Sequence, residues 1–250
     1  MCRELLAHQP TQSGPTPLRV LASVRCVRDV RYASLAPGSQ CSGVLFDSDG
    51  GYVVVLDERD SPGRAHRSLG HEIAHTYFRE VDPGPSGPQQ ERLCEIGATE
   101  LTLPEDRVTD IMRSRPEVTF DFIAEWASEF DVSRGAAARR LVELSETPTC
   151  YLVATLRRTK KEDLEDRGSP LLRVASWACS SSWPEHRPYL GLGIEPDSLV
   201  AQAFTAQDSR TGWGDPGIHH RDGAVMIEAA GYEFVWRENL KRQVAVLLRT

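Results

Sequence analysis

The five residues His71-Glu72-Ile73-Ala74-His75 constrain this chain more than any other part of its sequence. Positions i and i+4 of a helix lie on the same face, one turn apart, so both imidazoles can point at one Zn²⁺ ion. Glu72 is rotated about 100° from His71 and can lie beside the metal as a general base. The motif therefore predicts a catalytic zinc helix. The alternative is a solvated helix that carries two histidines by chance.

The flanking sequence favours a helix that is packed against the rest of the protein. Ser61 suits the N-cap and Pro62 the first helical position, no proline interrupts the stretch to Arg79, and the Pro/Gly-rich residues 81–85 end it. Two histidines on a largely buried helix need a ligand or a hydrogen-bond partner. Apolar residues on both sides of the motif would bury this helix: Leu69, Ile73, Ala74, Tyr77 and Phe78.

A second helix is expected from Pro88 to about Leu101, and it offers carboxylates. A catalytic zinc ion takes three protein ligands and leaves one position open. We predict Glu91 as the third ligand. Glu95, one turn on, is predicted to accept an imidazole N–H and so fix the tautomer of a ligand. Two alternatives remain: Glu95 could itself be the ligand, or both glutamates could be exposed helix charges.

Cys94 is a possible inhibitory metal ligand, because it lies three residues after Glu91 on nearly the same helix face. Its thiolate could occupy the fourth position of the zinc and displace the nucleophilic water, until oxidation or substrate releases it. The alternative is a small buried residue that packs the helix, as cysteine often does.

These motifs together resemble the ImmA/IrrE metallopeptidases over roughly residues 40–146. That family combines H-E-x-x-H with E-x-x-(A/C)-N and A-x-E-x-L-x-P, which are matched here at His71–His75, Glu91–Cys94 and Ala98–Pro104. By this resemblance Glu91 falls on the family's glutamate ligand. The sequence departs from the family at Glu95, where Asn is usual. It also departs at Gly97 and Thr102, where bulkier apolar residues are common.

The resemblance implies a Zn²⁺-dependent endopeptidase in which Glu72 takes a proton from water. It implies a protein substrate, a helix-turn-helix transcriptional repressor, in DNA-damage, mobile-element or anti-phage responses. The substrate is expected as an extended strand near residues 43–56, with Tyr77 and His186 as candidates for stabilising the oxyanion. Two other functions stay open. One is a zinc-containing sensor closed by Cys94, and the other is a DNA-binding regulator.

The expected fold class is α+β. Residues 1–104 are expected to form a zincin-like metallopeptidase domain, 105–147 a helical, helix-turn-helix-like segment, and 148–250 a smaller mixed α/β sensor domain. Some relatives of the family carry a GAF-like domain in that place. Residues 43–47 and 52–56 predict a β-hairpin, whereas 18–30 are ambiguous between helix and strand. Further strands are expected at 151–156, 171–178, 224–229, 232–236 and 244–248, and loops at 160–169 and 205–217.

Residues 119–146 resemble a helix-turn-helix, and its second helix carries Arg134, Arg139 and Arg140. These arginines could face DNA phosphates. The alternative, which we favour, is a structural or substrate-docking helical subdomain.

Composition indicates a cytoplasmic enzyme. A net charge of −7 argues against a protein that coats nucleic acid, and six cysteines without a C-x-x-C pair suggest reduced thiols. No signal peptide or membrane-length apolar stretch is visible. A nucleic acid or a small molecule is a possible signal for the C-terminal domain. Its aromatic residues Trp177, Trp183, Tyr189 and Trp213 could line a pocket or pack a core.

Overall fold

The computed structural model describes residues 18–35, 41–81, 84–159, 162, 164, 169–183, 187–218, 225–236 and 239–250. The chain divides into two compact units. Unit 1 holds the described residues up to Asp110 together with Ala124–Arg140, and unit 2 holds Ile111–Ile123 and Leu141–Thr250. None of the described helices combines the length and the apolar character that crossing a membrane requires.

Unit 1 begins with helix α1 (Leu18–Val24) and strand β1 (Val27–Ala33), so the ambiguous segment contains both a helix and a strand. The predicted hairpin is confirmed as β2 (Gly43–Ser48) and β3 (Gly51–Asp57). The sheet order is β1-β3-β2, with β1 parallel and β2 antiparallel to β3. Among the described strands, none pairs with the outer edge of β2.

Helices α2 (Pro62–Phe78) and α3 (Pro88–Thr102) pack against each other in unit 1. Ser61 is the N-cap residue of α2 as predicted, but its side chain makes no capping hydrogen bond. Gly70 lies at this contact, where a Cβ atom would stand at an ordinary van der Waals distance of 3.5 Å from the Ala98 backbone. The packing brings the side chains of α3 within reach of the histidines on α2.

A hydrophobic core ties the sheet of unit 1 to its helices and fixes α2 against β3. Its members come from α1, β1, β3, α2 and α3: Leu18, Leu21, Ala22, Val27, Val54, Leu56, Ala65, Leu69, Ile73 and Leu101. Ile73 lies inside the histidine motif and is fully buried. Its burial fixes the rotation of α2, and with it the direction of the motif's polar side chains.

Three helices follow: α4 (Glu105–Ser114), α5 (Phe120–Glu129) and α6 (Arg134–Leu144). The turn between α5 and α6 packs on the start of α2, because a Cβ atom at Gly63 would lie 2.8 Å from the backbone of Val132. Residues 124–140 thus support the histidine helix. The predicted domain boundaries at 104 and 147 stay a prediction.

Unit 2 contains β4 (Thr149–Arg157), β5 (Leu171–Cys179), helix α7 (Leu199–Ala206), β6 (Ser209–Gly214), β7 (Val225–Trp236) and β8 (Asn239–Arg249). The strands form an antiparallel sheet in the order β5-β4-β8-β7-β6. Ser198 caps α7 by accepting a hydrogen bond from the Ala201 N–H at 3.2 Å.

Two of the strand predictions in unit 2 are wrong in detail. The strands predicted at 224–229 and 232–236 are one strand, β7. Gly231 lies within this strand. A Cβ atom at this position would lie 2.1 Å from the Ala203 carbonyl oxygen, so the glycine allows β7 to approach α7 closely. The predicted loop 205–217 contains β6, which forms by pairing with β7. The predicted loop 160–169 lies mostly outside the described residues.

The aromatic residues of unit 2 divide between core, pocket and surface. Trp183 belongs to the core and Trp177 packs against it, whereas Trp213 is 65% exposed. Tyr189 lines a pocket of about 560 Å³, whose walls also include Leu156, Leu172 and Ile194. A pocket of this volume falls in the range of small-molecule sites.

Candidate metal centre

The imidazoles of His71 and His75 face each other on α2, and both side chains are mostly buried. Their Nε2 atoms lie 3.1 Å apart, and the rings are inclined at 66°. Two nitrogen lone pairs repel at this distance unless a proton or a cation lies between them. The pair is therefore arranged as two donors to one shared centre.

Glu91 of α3 completes this arrangement. Its Oε2 lies 3.3 Å from His71 Nε2, and its Oε1 lies 3.5 Å from His75 Nε2. Ligand atoms about 2.0–2.2 Å from a tetrahedral zinc ion lie roughly 3.3–3.6 Å from one another. Both Glu91 distances fall within this range, and the 3.1 Å between the two imidazole nitrogens lies just below it. The three side chains can therefore converge on one tetrahedral metal ion and leave a fourth position.

Glu95 contacts the other nitrogen of the same ring. Its Oε1 lies 3.4 Å from His71 Nδ1, and its second oxygen pairs with the Arg67 guanidinium. A carboxylate at Nδ1 holds that nitrogen protonated and leaves Nε2 free to bind a metal. The two glutamates thus contact different ring nitrogens, and this geometry favours Glu91 as the ligand, in line with the choice made from the sequence.

Cys94 lies close to the histidines and is fully buried. Its sulfur and one ring nitrogen from each of His71 and His75 all lie within 4.8 Å of one another. Imidazole nitrogens and a thiolate suit zinc as a donor set. The structure thus brings a fourth candidate ligand, Cys94, to the site. Glu91 approaches the same site from the exposed side.

Glu72 is buried beside the histidines, with 6% of its surface exposed. Burial, reinforced by the negative charge of Glu91, raises the pKa of Glu72 to about 7. Gly43 at the start of β2 provides room for the carboxylate, since a Cβ atom there would lie 3.0 Å from Glu72 Oε1. Glu72 thus has the environment of a general base in a water-poor site.

The state of His75 also suits metal binding. Burial, followed by the influence of His71, lowers the pKa of His75, although Glu91 acts in the opposite direction. A lowered pKa keeps the imidazole neutral near pH 7, and only the neutral ring can donate a lone pair to a metal.

Arg25 holds the end of α2, although no sequence pattern indicates this contact. Its Nε donates to Thr76 Oγ1 at 3.1 Å, and its Nη2 donates to the Thr76 carbonyl and to Glu80 Oε1 at 3.2 and 2.8 Å. The guanidinium also lies 4.0 Å from the centroid of the Tyr77 ring. Arg25 precedes Thr76 by 51 residues, so no local pattern links them. His186, the other oxyanion candidate, lies outside the described residues.

Of the three arginines that could face DNA phosphates, Arg140 is turned inward. Its Nε donates to the Leu103 carbonyl at 3.0 Å, and its guanidinium pairs with Glu100. Only 12% of its side chain is exposed, so Arg140 favours the structural alternative over a phosphate contact. Arg134 and Arg139 are exposed.

Comparison with known proteins relates this site to peptidases. Residues 29–142 match the peptidase family described as the IrrE N-terminal-like domain. The radiation response metalloprotease IrrE of Deinococcus deserti is 25% identical over 235 aligned positions, which cover 80% of this chain and 83% of the relative. A transcriptional regulator of Mycobacterium tuberculosis has a similar fold, with a TM-score of 0.62 at 12% identity, over 99% of this chain and 74% of that one.

The similarity to the Deinococcus protein is not confined to the peptidase segment. It covers 80% of a chain of 250 residues, which is more than the part that ends at Val142. The aligned region therefore extends into the sheet of unit 2.

Proposed function

Because this chain belongs to the ImmA/IrrE family of metallopeptidases, we propose that it is a zinc-dependent endopeptidase of the H-E-x-x-H type. His71, His75 and Glu91 hold the zinc, Glu95 orients His71, and Glu72 is the general base. The observation that carries this proposal is the convergence of both Nε2 atoms and both Glu91 oxygens at 3.1–3.5 Å beside a buried carboxylate.

In this proposed mechanism, side chains of the protein accept and return the proton of the attacking water. A bound zinc ion would supply Lewis acidity, polarising the scissile carbonyl and lowering the pKa of water. Glu72 accepts the proton of the attacking water and later delivers it to the leaving amine. In the metal-free protein the buried setting of Glu72 raises its pKa, and the charge of a bound zinc ion would oppose that rise. Glu95 and the neutral state of His75 keep both Nε2 lone pairs available.

The substrate lies as an extended strand along the outer edge of β2. That edge is unpaired among the described strands, and extended peptides bind such edges through backbone hydrogen bonds. Two contacts align β2 with α2: Arg64 Nε donates to Ser42 Oγ at 2.9 Å, and Arg79 pairs with Asp47. Gly43 between them abuts Glu72, so a peptide on this edge passes the base.

We propose a helix-turn-helix transcriptional repressor as the substrate, in a DNA-damage, mobile-element or anti-phage response. The family resemblance supports this substrate class. Unit 2 acts as the sensor of the signal, in the manner of a GAF-like domain, and its pocket of about 560 Å³ could take a small molecule. Zinc is the proposed cofactor. The proposed location is the cytoplasm, because that is where the enzyme would encounter a transcriptional repressor.

The experiment is an incubation of the zinc-loaded protein with the repressor encoded next to it. The expected result is a single cut in the repressor, abolished by chelation and by Glu72→Gln. The Glu72→Gln variant must retain zinc for this comparison to count. Cleavage that persists at the full rate in that variant would contradict the mechanism.

The position of Cys94 favours a regulatory role for this residue at the same site. Because its sulfur groups with His71 and His75 within 4.8 Å, we propose that it closes the site as an inhibitory ligand in the resting enzyme. Cys94→Ala should then raise the basal rate of repressor cleavage. If Cys94 only packs α3, the same variant should lose thermal stability while the basal rate stays unchanged.

A further inference from the structure

We propose that Cys150 and Cys179 form a modification site in unit 2, at which a hydroperoxide converts two thiols into a disulfide. The two residues are direct partners in the register of β4 and β5. Their sulfur atoms lie 2.7 Å apart. That is closer than the roughly 3.5–4.0 Å at which non-bonded carbon atoms rest, although sulfur is the larger atom. It exceeds a covalent S–S bond of about 2.05 Å by only about 0.7 Å.

The backbone geometry allows the bond without rearrangement. The Ser180 N–H donates to the Thr149 carbonyl at 2.9 Å, so the neighbouring pair 149–180 is hydrogen-bonded. Hydrogen-bonded and non-hydrogen-bonded pairs alternate along antiparallel strands, and the Cys150–Cys179 pair is therefore non-hydrogen-bonded. Cα atoms in such pairs lie about 4.5 Å apart, within the roughly 4.4–6.8 Å that a disulfide requires.

Burial assigns the two sulfurs different roles. Cys150 is fully buried in the core of unit 2, whereas Cys179 retains 9% exposure at the last position of β5. Cys179 is therefore the thiol that a small oxidant reaches first. Its sulfur attacks the hydroperoxide, giving a sulfenic acid and an alcohol, or water when the oxidant is H₂O₂. Cys150 then displaces hydroxide from that sulfur, so the S–S bond forms and one water leaves.

The other described cysteines lack this arrangement. Cys26 and Cys41 are exposed residues of unit 1, and Cys94 lies at the metal centre. Cys150 and Cys179 are 29 residues apart in sequence and belong to no C-x-x-C motif. Both residues are reduced thiols here, as expected from the sequence, and only the sheet register reveals that they form a pair.

The bond should stabilise unit 2. It would close the connection between β4 and β5, and a cross-link over a loop of this length restricts the unfolded chain. For a protein of this size we expect the Tm of unit 2 to rise by roughly 5–10 °C on oxidation.

Peptide mapping of the full-length protein tests the proposal. The protein is reduced with dithiothreitol under native conditions, treated with H₂O₂, alkylated and digested with trypsin without reduction. We expect a cross-linked pair of the peptide Leu141–Arg157 and the peptide that begins at Val174, lighter than their sum by two hydrogen atoms. Dithiothreitol should separate the pair. No assay of peptidase activity is needed, so the outcome is independent of the proposed function.

Matched variants complete the test. Cys150→Ser and Cys179→Ser should each abolish the cross-link and the rise in Tm, whereas Cys26→Ser should keep both. Finding both peptides alkylated separately, at an H₂O₂ concentration that oxidises Cys26 and Cys41, would overturn the proposal. A cross-link that dithiothreitol cannot open in the folded protein would also overturn it, because the site would then be a permanent bridge.

Discussion

At the scale of single residues, identical side chains take different roles because their surroundings differ. Glu72 is buried and its pKa is raised to about 7, whereas Glu91 and Glu95 are 61% and 48% exposed in their side chains. Burial holds Glu72 next to the histidines, in the position proposed for the base. Glu91 reaches both Nε2 atoms, and Glu95 reaches only Nδ1 of His71. Position relative to the two rings, rather than residue type, assigns the functions.

Replacing Glu72 by Gln should lower the rate of cleavage by at least roughly 10²–10⁴-fold, because an amide cannot accept the proton of the water. Zinc content, measured by elemental analysis, should stay at the wild-type value. Thermal stability should be equal or higher, since the substitution removes a charge from a buried position. A variant that loses its zinc would instead mean that Glu72 is a ligand.

At the scale of elements, the close approach of β2 to α2 depends on a residue without a side chain. A methyl group at Gly43 would lie 3.0 Å from Glu72 Oε1 and 3.3 Å from Leu56 Cδ2. The neighbouring side chains would have to move, and the carboxylate is the one that faces the site. The strand therefore sets the position of the base.

Gly43→Ala should lower the cleavage rate by about tenfold or more, because small displacements of a catalytic group are costly. Zinc content should not change, since the ligands lie on α2 and α3. Steady-state kinetics and elemental analysis measure the two effects. Gly214→Ala is the matched control, because it lies in a strand of unit 2 with nothing within 4 Å of the added methyl group. Equal activity of the two variants would mean that Gly43 does not position Glu72.

The elements that could be predicted are those with strong local patterns. The spacing of apolar residues and the prolines at either end predicted helices α2 and α3. The turn sequence Asp49-Gly50-Gly51 predicted the hairpin of β2 and β3. Features that depend on distant partners could not be predicted. The closeness of Gly231 to Ala203 has no local signal, and β6, which lies within a predicted loop, is recognised by its pairing with β7.

The residues of the site also divide into those that a local pattern predicts and those that only the fold reveals. The histidines and Glu72 follow from a five-residue motif. The choice of Glu91 over Glu95 was also made from the sequence, but their different contacts with the His71 ring are visible only once α3 packs on α2. Arg25 is joined to Thr76 only by the fold. Likewise, a helical pattern cannot show that Arg140 is already paired with Glu100.

At the scale of the whole molecule, the chain consists of two units with separate cores. All proposed zinc ligands belong to unit 1, and the cysteine pair belongs to unit 2. The two chemical sites can therefore be perturbed independently. A ligand that binds only the folded state stabilises the unit that binds it.

Removal of zinc by a chelator should loosen α2 and α3 without affecting β4–β8. Hydrogen exchange should speed up for amides of residues 62–78 and 88–102, since the proposed metal centre would cross-link these two helices. Amides of the unit 2 sheet should exchange at an unchanged rate and serve as the internal reference. Equal acceleration in both units would mean that the metal stabilises the chain as one cooperative body.

The zinc content of two matched variants, Glu91→Ala and Glu95→Ala, tests the central claim most directly. Both remove an exposed glutamate from the same helix, one turn apart, so their effects on helix stability should be similar. Elemental analysis after dialysis should show most of the zinc lost from Glu91→Ala. Glu95→Ala should keep its zinc with an affinity lowered by about 10–100-fold, as expected for a residue that orients a ligand. Full occupancy in Glu91→Ala together with loss of zinc in Glu95→Ala would contradict the proposed metal centre.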